Sequence, residues 1–357
     1  MTTTTYQYQP IAASDTIRLI HLQPAPSLET EINCSLVHVS LKSCAEDILE
    51  HYVALSYVWG DASLQRTIVV DDRPLAITAS LHCALRHLRD ESRLVRVWAD
   101  GVCIDQNSIE DRNAQVAMMG SIYSLATHTI IFLGEPTMEL DRTMRLLKLR
   151  ISGTNPMSTK GSLETLIQDN VLNRPWFSRV WVLQELVLSV SPWLQGGKYR
   201  IKWDEFSRCI SMSDSGTWKP HSHDLLDGMN AIRRSYKARR LEDAVQIRTS
   251  VSLADLFQIM ESRRGFGVSD GRDMIFAHLG LTSDSTRSML HVDYNKSIEQ
   301  LYEEIARKHT EVNRNASILY HVVTLDLCKR RKGLPSWVPD WEEAGPTKAS
   351  KFGPWEC

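Results

Sequence analysis

LVRVWADGVCIDQNSIEDRNAQVAMMGSIYSLATHTIIFLG, residues 94–134, decides the fold. It opens on a short apolar strand that runs into a polar loop. A helical pattern follows from about Asp111 to Leu125, with Met118, Ile122 and Leu125 as its apolar stripe. HTIIFLG (128–134) closes it as a buried strand ended by Gly134. Strand, helix, strand is the crossover that two parallel neighbours need. Upstream, YVALSYV (52–58) is another apolar run, ending at the turn Trp59-Gly60-Asp61. TIVVDDRPLAI (67–77) reads as a hairpin around Asp71-Asp72, and ASLHCALRHLRD (79–90) as a helix with Leu81, Leu85 and Leu88 at helical spacing. Downstream, a helix is predicted over 138–151 and a mostly buried one over WFSRVWVLQELVLS (176–189). KYRIKWDEF (198–206) reads as a closing strand.

Strands separated by helices predict an α/β fold with a parallel sheet and flanking helices. Ligands of such sheets sit beyond the carboxyl ends of the strands, where the turns after Val58 and Trp98 lie. SMSDSGTWKPHSHD (211–224) is polar and turn-rich, and helical patterns dominate beyond it. The expected division is a lead-in over 1–50, an α/β domain over 51–210 and a mainly helical region over 211–357. The basic run RRSYKARR (233–240) reads as a solvated helix face.

With 41 Lys and Arg against 43 Asp and Glu, the net charge is −2, which removes the electrostatic case for nucleic-acid or anionic-membrane binding. Hydrophobic residues at 43% and charged ones at 24% describe an ordinary globular chain. The seven cysteines form no CxxC pair, the N-terminus carries no signal-peptide pattern, and no run of about 18 apolar residues occurs. A reduced, cytoplasmic protein is expected, without a membrane partner. No Walker loop or GxGxxG fingerprint occurs, which disfavours a P-loop NTPase or a Rossmann dehydrogenase. GFGVSDG (265–271) lacks the Lys-Ser/Thr that phosphate would want. His221, His223 and Asp224 form a short polar cluster without CxxC support, so no metal is assigned.

Three blocks, ALSYVWGD (54–61), VWADGVCIDQNSIEDRNAQVAMMGSIYSLATHTIIFLGE (97–135) and RPWFSRVWVLQEL (174–186), resemble the fungal heterokaryon incompatibility (HET) domain in content, order and spacing. The resemblance covers roughly residues 50–205. GRDMIFAHLGL (271–281), VDYNKSIEQLYEEIA (292–306) and LPSWVPDWE (334–342) resemble the region that commonly follows this domain. Ala99 departs from the pattern, where relatives usually carry a larger aliphatic residue, and no long effector region is expected beyond the last block. The resemblance implies a role in non-self recognition and regulated cell death in filamentous fungi. It also implies a distant likeness to the TIR domain, a flavodoxin-like fold, some members of which cleave NAD with a helical glutamate. SRVWVLQEL is similar to that TIR pattern, which makes Glu185 the candidate catalytic residue.

Cleavage of the nicotinamide–ribose bond passes through an oxocarbenium-like state, and nicotinamide leaves as a neutral base. One carboxylate that holds the ribose and stabilises its positive charge could suffice. Glu185 follows Trp181 by four residues, so in a continuous helix the two share a face with Ser178. Equally, Glu185 could be a structural partner of Arg174 or Arg179. Trp59 could stack on the cationic pyridinium, or it could simply plug the sheet end beside Tyr57. Gly60 permits close backbone approach, and Ser56 and Asp61 could hydrogen-bond ribose or phosphate. Asp100 is the second catalytic candidate, with a tight turn as its alternative. Asp105 is a candidate ligand contact or a cap for the helix beginning near Ile109. Cys103 is a candidate contact or nucleophile, but between Val102 and Ile104 it has the setting of a core residue. No cofactor is called for, and NAD enters as a candidate substrate. Two other readings stand beside the enzyme. One is a non-catalytic module that associates with itself or another incompatibility protein, to which some of the ten Trp could contribute. The other is a repurposed HET-fold enzyme acting on another small molecule in specialised metabolism.

Overall fold

The computed structural model describes residues 4–47, 51–154, 160–212, 220–243, 253–314, 316–322 and 330–343. The chain begins with β1 (Thr16–Leu22), β2 (Asn33–Ser40), α1 (Leu41–Glu46) and β3 (Val53–Ser56). Next come β4 (Gln65–Val70), β5 (Arg73–Thr78), α2 (Ala79–Leu88), β6 (Val95–Trp98), α3 (Asp100–Cys103) and α4 (Ile109–Leu125). After them stand β7 (His128–Phe132), α5 (Met138–Ile151), α6 (Lys160–Ile167) and α7 (Val182–Leu188). The sheet closes with β8 (Pro192–Gly196) and β9 (Tyr199–Lys202). The later helices are α8 (Trp203–Ser211), α9 (Pro220–Asp243), α10 (Leu253–Ser262), α11 (Asp273–Leu279), α12 (Asp284–Met289) and α13 (Ile298–Asn313).

The fold is α/β, with one nine-stranded sheet in the order β5-β4-β2-β1-β6-β3-β7-β8-β9. The sheet is mixed rather than parallel throughout. Its centre, β6-β3-β7-β8, is parallel, while β1 pairs antiparallel with both β2 and β6, and β4–β5 and β8–β9 are antiparallel. Numbered by themselves, the four central strands run 2-1-3-4, the flavodoxin-like order, whose switch point lies between β3 and β7. Residues 1–50 supply β1 and β2 to this sheet.

Local chemistry explains most of these elements. Asp71 (φ 47°) and Asp72 (φ 61°) make the two-residue turn of the expected β4–β5 hairpin, a conformation that acidic side chains tolerate. Thr78 caps α2 by accepting from Leu81 N at 3.3 Å. Ser108 caps α4 by accepting from Asp111 N at 3.2 Å, with Glu110 and Asp111 in the first turn against the helix dipole.

Two predicted elements are shorter than expected. The helix expected over 176–189 is a 3-10 turn (Pro175–Ser178) followed by α7, because Ser178 and Val180 give their backbone to Gly267 instead. The strand expected over 198–206 ends at Lys202, since Trp203 turns inward at the start of α8 and donates its indole N–H to Asn230 Oδ1 at 2.9 Å. The turn-rich stretch 211–224 lies partly outside the described residues, and α9 already begins at Pro220.

By contact the chain forms two compact units, Met1–Phe177 with Glu185–Arg240, and Ser178–Gln184 with Leu241–Cys357. The first holds the sheet. The second is mainly helical, with Trp341 buried against Phe257 and Tyr302 at ring distances of 5.8 and 5.0 Å. A capping box of Ser297 and Gln300 opens its α13. Among the described residues no helix is long and apolar enough to cross a membrane.

Candidate functional site

β3 ends at Ser56, whose side chain is wholly buried. Its hydroxyl accepts the indole N–H of Trp176 at 2.7 Å and hydrogen-bonds Glu185 Oε2. The direction of this chain follows from valence. Trp176 can only donate, so it occupies an acceptor position on Ser56 and the Ser56 hydrogen goes to the carboxylate. Glu185 is 2% exposed, so its charge needs such a donor inside the apolar surroundings of Val182, Leu183 and Leu186.

A second polar pair lies three residues further on. Trp59 donates its indole N–H to Asp100 Oδ2 at 2.7 Å, while Asp100 Oδ1 accepts from Gly101 N at 2.8 Å. The β3–β6 register sets Ala54 opposite Trp98, so Ser56 and Asp100 each follow the paired residues by two positions, Asp100 opening α3. Both pairs follow the carboxyl ends of neighbouring parallel strands. Three residues of chain keep the Cα atoms of Ser56 and Trp59 within about 11 Å. Gly60 (φ 72°) turns the chain in the left-handed region, and Ser80 fixes the same loop by donating to Val58 O. Gly101 lies against the ring of buried Tyr57, where an added Cβ would come within 2.5 Å of the hydroxyl.

The loop that carries Asp100 is pinned from the lead-in. Arg18, 2% exposed, gives Nη1 to Cys103 O at 3.1 Å and to Asp111 Oδ2 at 2.8 Å, and Nη2 to Gln9 O at 2.9 Å. Asp111 Oδ2 also accepts from Asp105 N at 2.7 Å, and Tyr8 donates to Val102 O at 3.0 Å. Removing Arg18 would strand Asp111 beside a loop it now organises.

The other expected site residues fare unevenly. Asp61 accepts from the Ser63 N–H and hydroxyl at 2.8 and 2.7 Å, and these bonds hold its carboxyl below the usual range. Asp105 accepts from Asn107 N at 3.1 Å, so it closes the turn before α4, whose cap is Ser108. Cys103 is fully buried. Its sulfur accepts from Ala99 N at 3.3 Å, and burial pushes its thiol up to about 12, which corrects the nucleophile reading. Trp181 is buried in the turn ahead of α7 and Ser178 belongs to the 3-10 turn, so neither lies on a helix face with Glu185. Both belong to the segment grouped with the C-terminal unit. The expected solvated face over 233–240 is corrected at Arg233, which is 2% exposed.

Sequence reasoning passed over Trp176 and Arg18. Trp176 lies within RPWFSRVWVLQEL (174–186), and Arg18 interrupts the apolar run IRLI (17–20), where a charge needs a partner. Among the described residues no cluster of three or more His, Cys, Asp or Glu side chains could hold a metal ion. The side chains of His221, His223 and Asp224 lie outside the described residues.

Residues 52–185, which contain Ser56, Trp59, Asp100, Trp176 and Glu185, match the family model described as Heterokaryon incompatibility protein (HET). Over 423 aligned positions the chain is 25% identical to heterokaryon incompatibility protein 6, OR allele, of Neurospora crassa. The alignment takes in 94% of this chain and 59% of that relative, so the chain spans about six-tenths of its length. No solved structure matches. With the family match lying across the parallel core and the site at its carboxyl end, residues 52–185 of the chain are a HET domain.

Proposed function

We propose that this HET-domain protein acts in fungal non-self recognition and does so as a TIR-like NAD glycohydrolase, with Glu185 as its catalytic carboxylate. The observation that carries the reading is the Trp176–Ser56–Glu185 chain, a buried carboxylate held by an oriented hydroxyl at the carboxyl end of β3. The flavodoxin-like order of the parallel core supports the TIR likeness, and the name of the Neurospora relative supports the biological setting.

In this mechanism the bond from ribose C1′ to the pyridinium nitrogen breaks and its electron pair leaves with neutral nicotinamide. The Glu185 carboxylate stabilises the positive charge that develops on the sugar. Water then adds to C1′, giving ADP-ribose and one released proton. Trp59, its indole N–H tied to Asp100, offers a ring face to the cationic pyridinium. Asp100 accepts on both oxygens and in this mechanism holds Trp59. Glu185 is covered at rest, so basal turnover is expected to be slow.

The test is incubation of the purified chain with NAD, with nicotinamide release followed by chromatography beside Glu185→Gln. Slow release that disappears in the variant is the expected result. Equal release from both proteins, or none from the parent at high protein concentration, overturns the assignment.

A further inference from the structure

α7, the helix that carries Glu185, has seven residues, too few to hold its shape by backbone bonds alone. Its last carbonyls have no partner within the helix. α9 supplies one: Arg233 Nη1 donates to Leu186 O, to Ser189 O at 2.7 Å and, at 3.4 Å, to Val187 O. The guanidinium is 2% exposed, and burial holds it below its ordinary value. Its acidic neighbour is a weak one. Asp204 Oδ1 stands 3.7 Å from Nε, and that side chain is 60% exposed. A buried cation with so little carboxylate compensation is placed by the carbonyls it closes, at the negative end of a helix. One of those carbonyls, Leu186 O, belongs to the residue next to Glu185.

We propose that Arg233 is the positioning residue for Glu185, fixing through the C-terminal carbonyls of α7 where the carboxylate stands relative to Ser56. The proposal rests on Glu185 as the catalytic group, and it assigns a role to a residue outside the matched domain. Arg233 touches no reacting atom and acts by holding the helix. All three carbonyls meet the one Nη1 atom, which the stiff planar guanidinium holds in place, whereas a lysine ammonium ends a flexible stem and is not held so. Lys237 is the internal control. It lies one turn further along α9, also meets Asp204 (3.4 Å), and is 44% exposed.

The experiment compares the full chain with Arg233→Met, Arg233→Lys and Lys237→Met, each checked for folding by thermal melting. Glutamate labelled with 13C at the carboxyl gives an isotope-edited infrared band for Glu185, assigned by subtraction of Glu185→Gln. Ser56→Ala marks where that band falls without its donor. The expected result is a band moved toward the Ser56→Ala position in both Arg233 variants, and unmoved in Lys237→Met. With NAD as probe, kcat is expected to fall by between about tenfold and a hundredfold at unchanged KM. A folded Arg233 variant with the parental band overturns the proposal. Should Arg233→Met fail to fold, Arg233→Lys, which keeps the buried cation, decides it on the same band. A moved band with no nicotinamide release from the parent would sink the NAD reading and leave the positioning role standing. Release unaffected by a folded Arg233 variant would do the reverse.

Discussion

Ser56 and Glu185 are 129 residues apart in sequence and share a hydrogen bond in a site closed to solvent. The serine ends the first strand of the parallel core and the glutamate rides the helix that leads into the last, so the bond ties both ends of the matched domain together. Ser56→Ala leaves the carboxylate without this donor and the Trp176 N–H without its acceptor. We expect a loss of about 1–3 kcal/mol in urea unfolding. Trp176→Phe removes the donor and also part of the volume of a fully buried indole, for about 1–3 kcal/mol. The double variant should cost less than the sum of the two, because both changes break the same chain.

Trp59 and Asp100 make a prediction separable from that of Glu185. Asp100→Asn keeps one carbonyl acceptor for the indole but sets its NH2 group against the Gly101 N–H, and should raise KM less than Asp100→Ala does. Asp100→Ala frees the ring and should raise KM with little change in kcat, whereas Glu185→Gln should abolish kcat. Steady-state nicotinamide release gives both constants. A kcat effect in Asp100→Asn would mean that the carboxylate itself takes part in the chemistry.

His278 predicts a pH dependence of the C-terminal unit. The ring is fully buried, neither nitrogen has a hydrogen-bond partner among the described residues, and burial together with Arg263 pushes it down to about 3. In the folded chain the imidazole therefore stays neutral, while the unfolded chain takes up a proton near the ordinary value of about 6.5. Stability is present above that value and is lost as the pH falls from about 6.5 toward about 3, by up to roughly 1.4 kcal/mol per unit. Urea unfolding at pH 7, 6 and 5 should show this slope, and His278→Leu should flatten it.

Cys103 should ignore thiol reagents in the native protein. Iodoacetamide at pH 8, followed by peptide mass spectrometry, should modify the half-buried Cys83 before Cys103. Rapid native labelling of Cys103 would show that the loop after β6 opens far more readily than its pinning by Arg18 implies.

Strand HTIIF and the Leu81–Leu85–Leu88 stripe of α2 were plain in the residues. The stripe expected for α4 holds only at Ile122, since Met118 and Leu125 are half-buried and Gln115, Met119 and Tyr123 face inward instead. What was hidden is long-range. Nothing in TIRLIHL says that it runs antiparallel beside VRVW, the pairing that joins the antiparallel strands on that side to the parallel core. Glu185 and Ser56 stood in readable blocks, yet their bond needed the fold. Asp61 and Asp105 looked like ligand contacts because an acidic residue that closes a turn and one that meets a ligand share the same local sequence. Arg233 lay in a run whose other charges gave no sign that one of them faces inward.

The pairing of β1 with β6 sets the borders at which this domain can be cut. The family match begins at residue 52, but β6 is covered on its outer side by Ile20, His21 and Leu22. A fragment trimmed to the match would bare the rim of the parallel core as a row of unfilled donors and acceptors, inviting another chain to add itself there. It would also lose the arginine that holds the loop after β6. Such a fragment should precipitate or form β-rich polymers on expression, while one starting ahead of Tyr6 should stay dispersed.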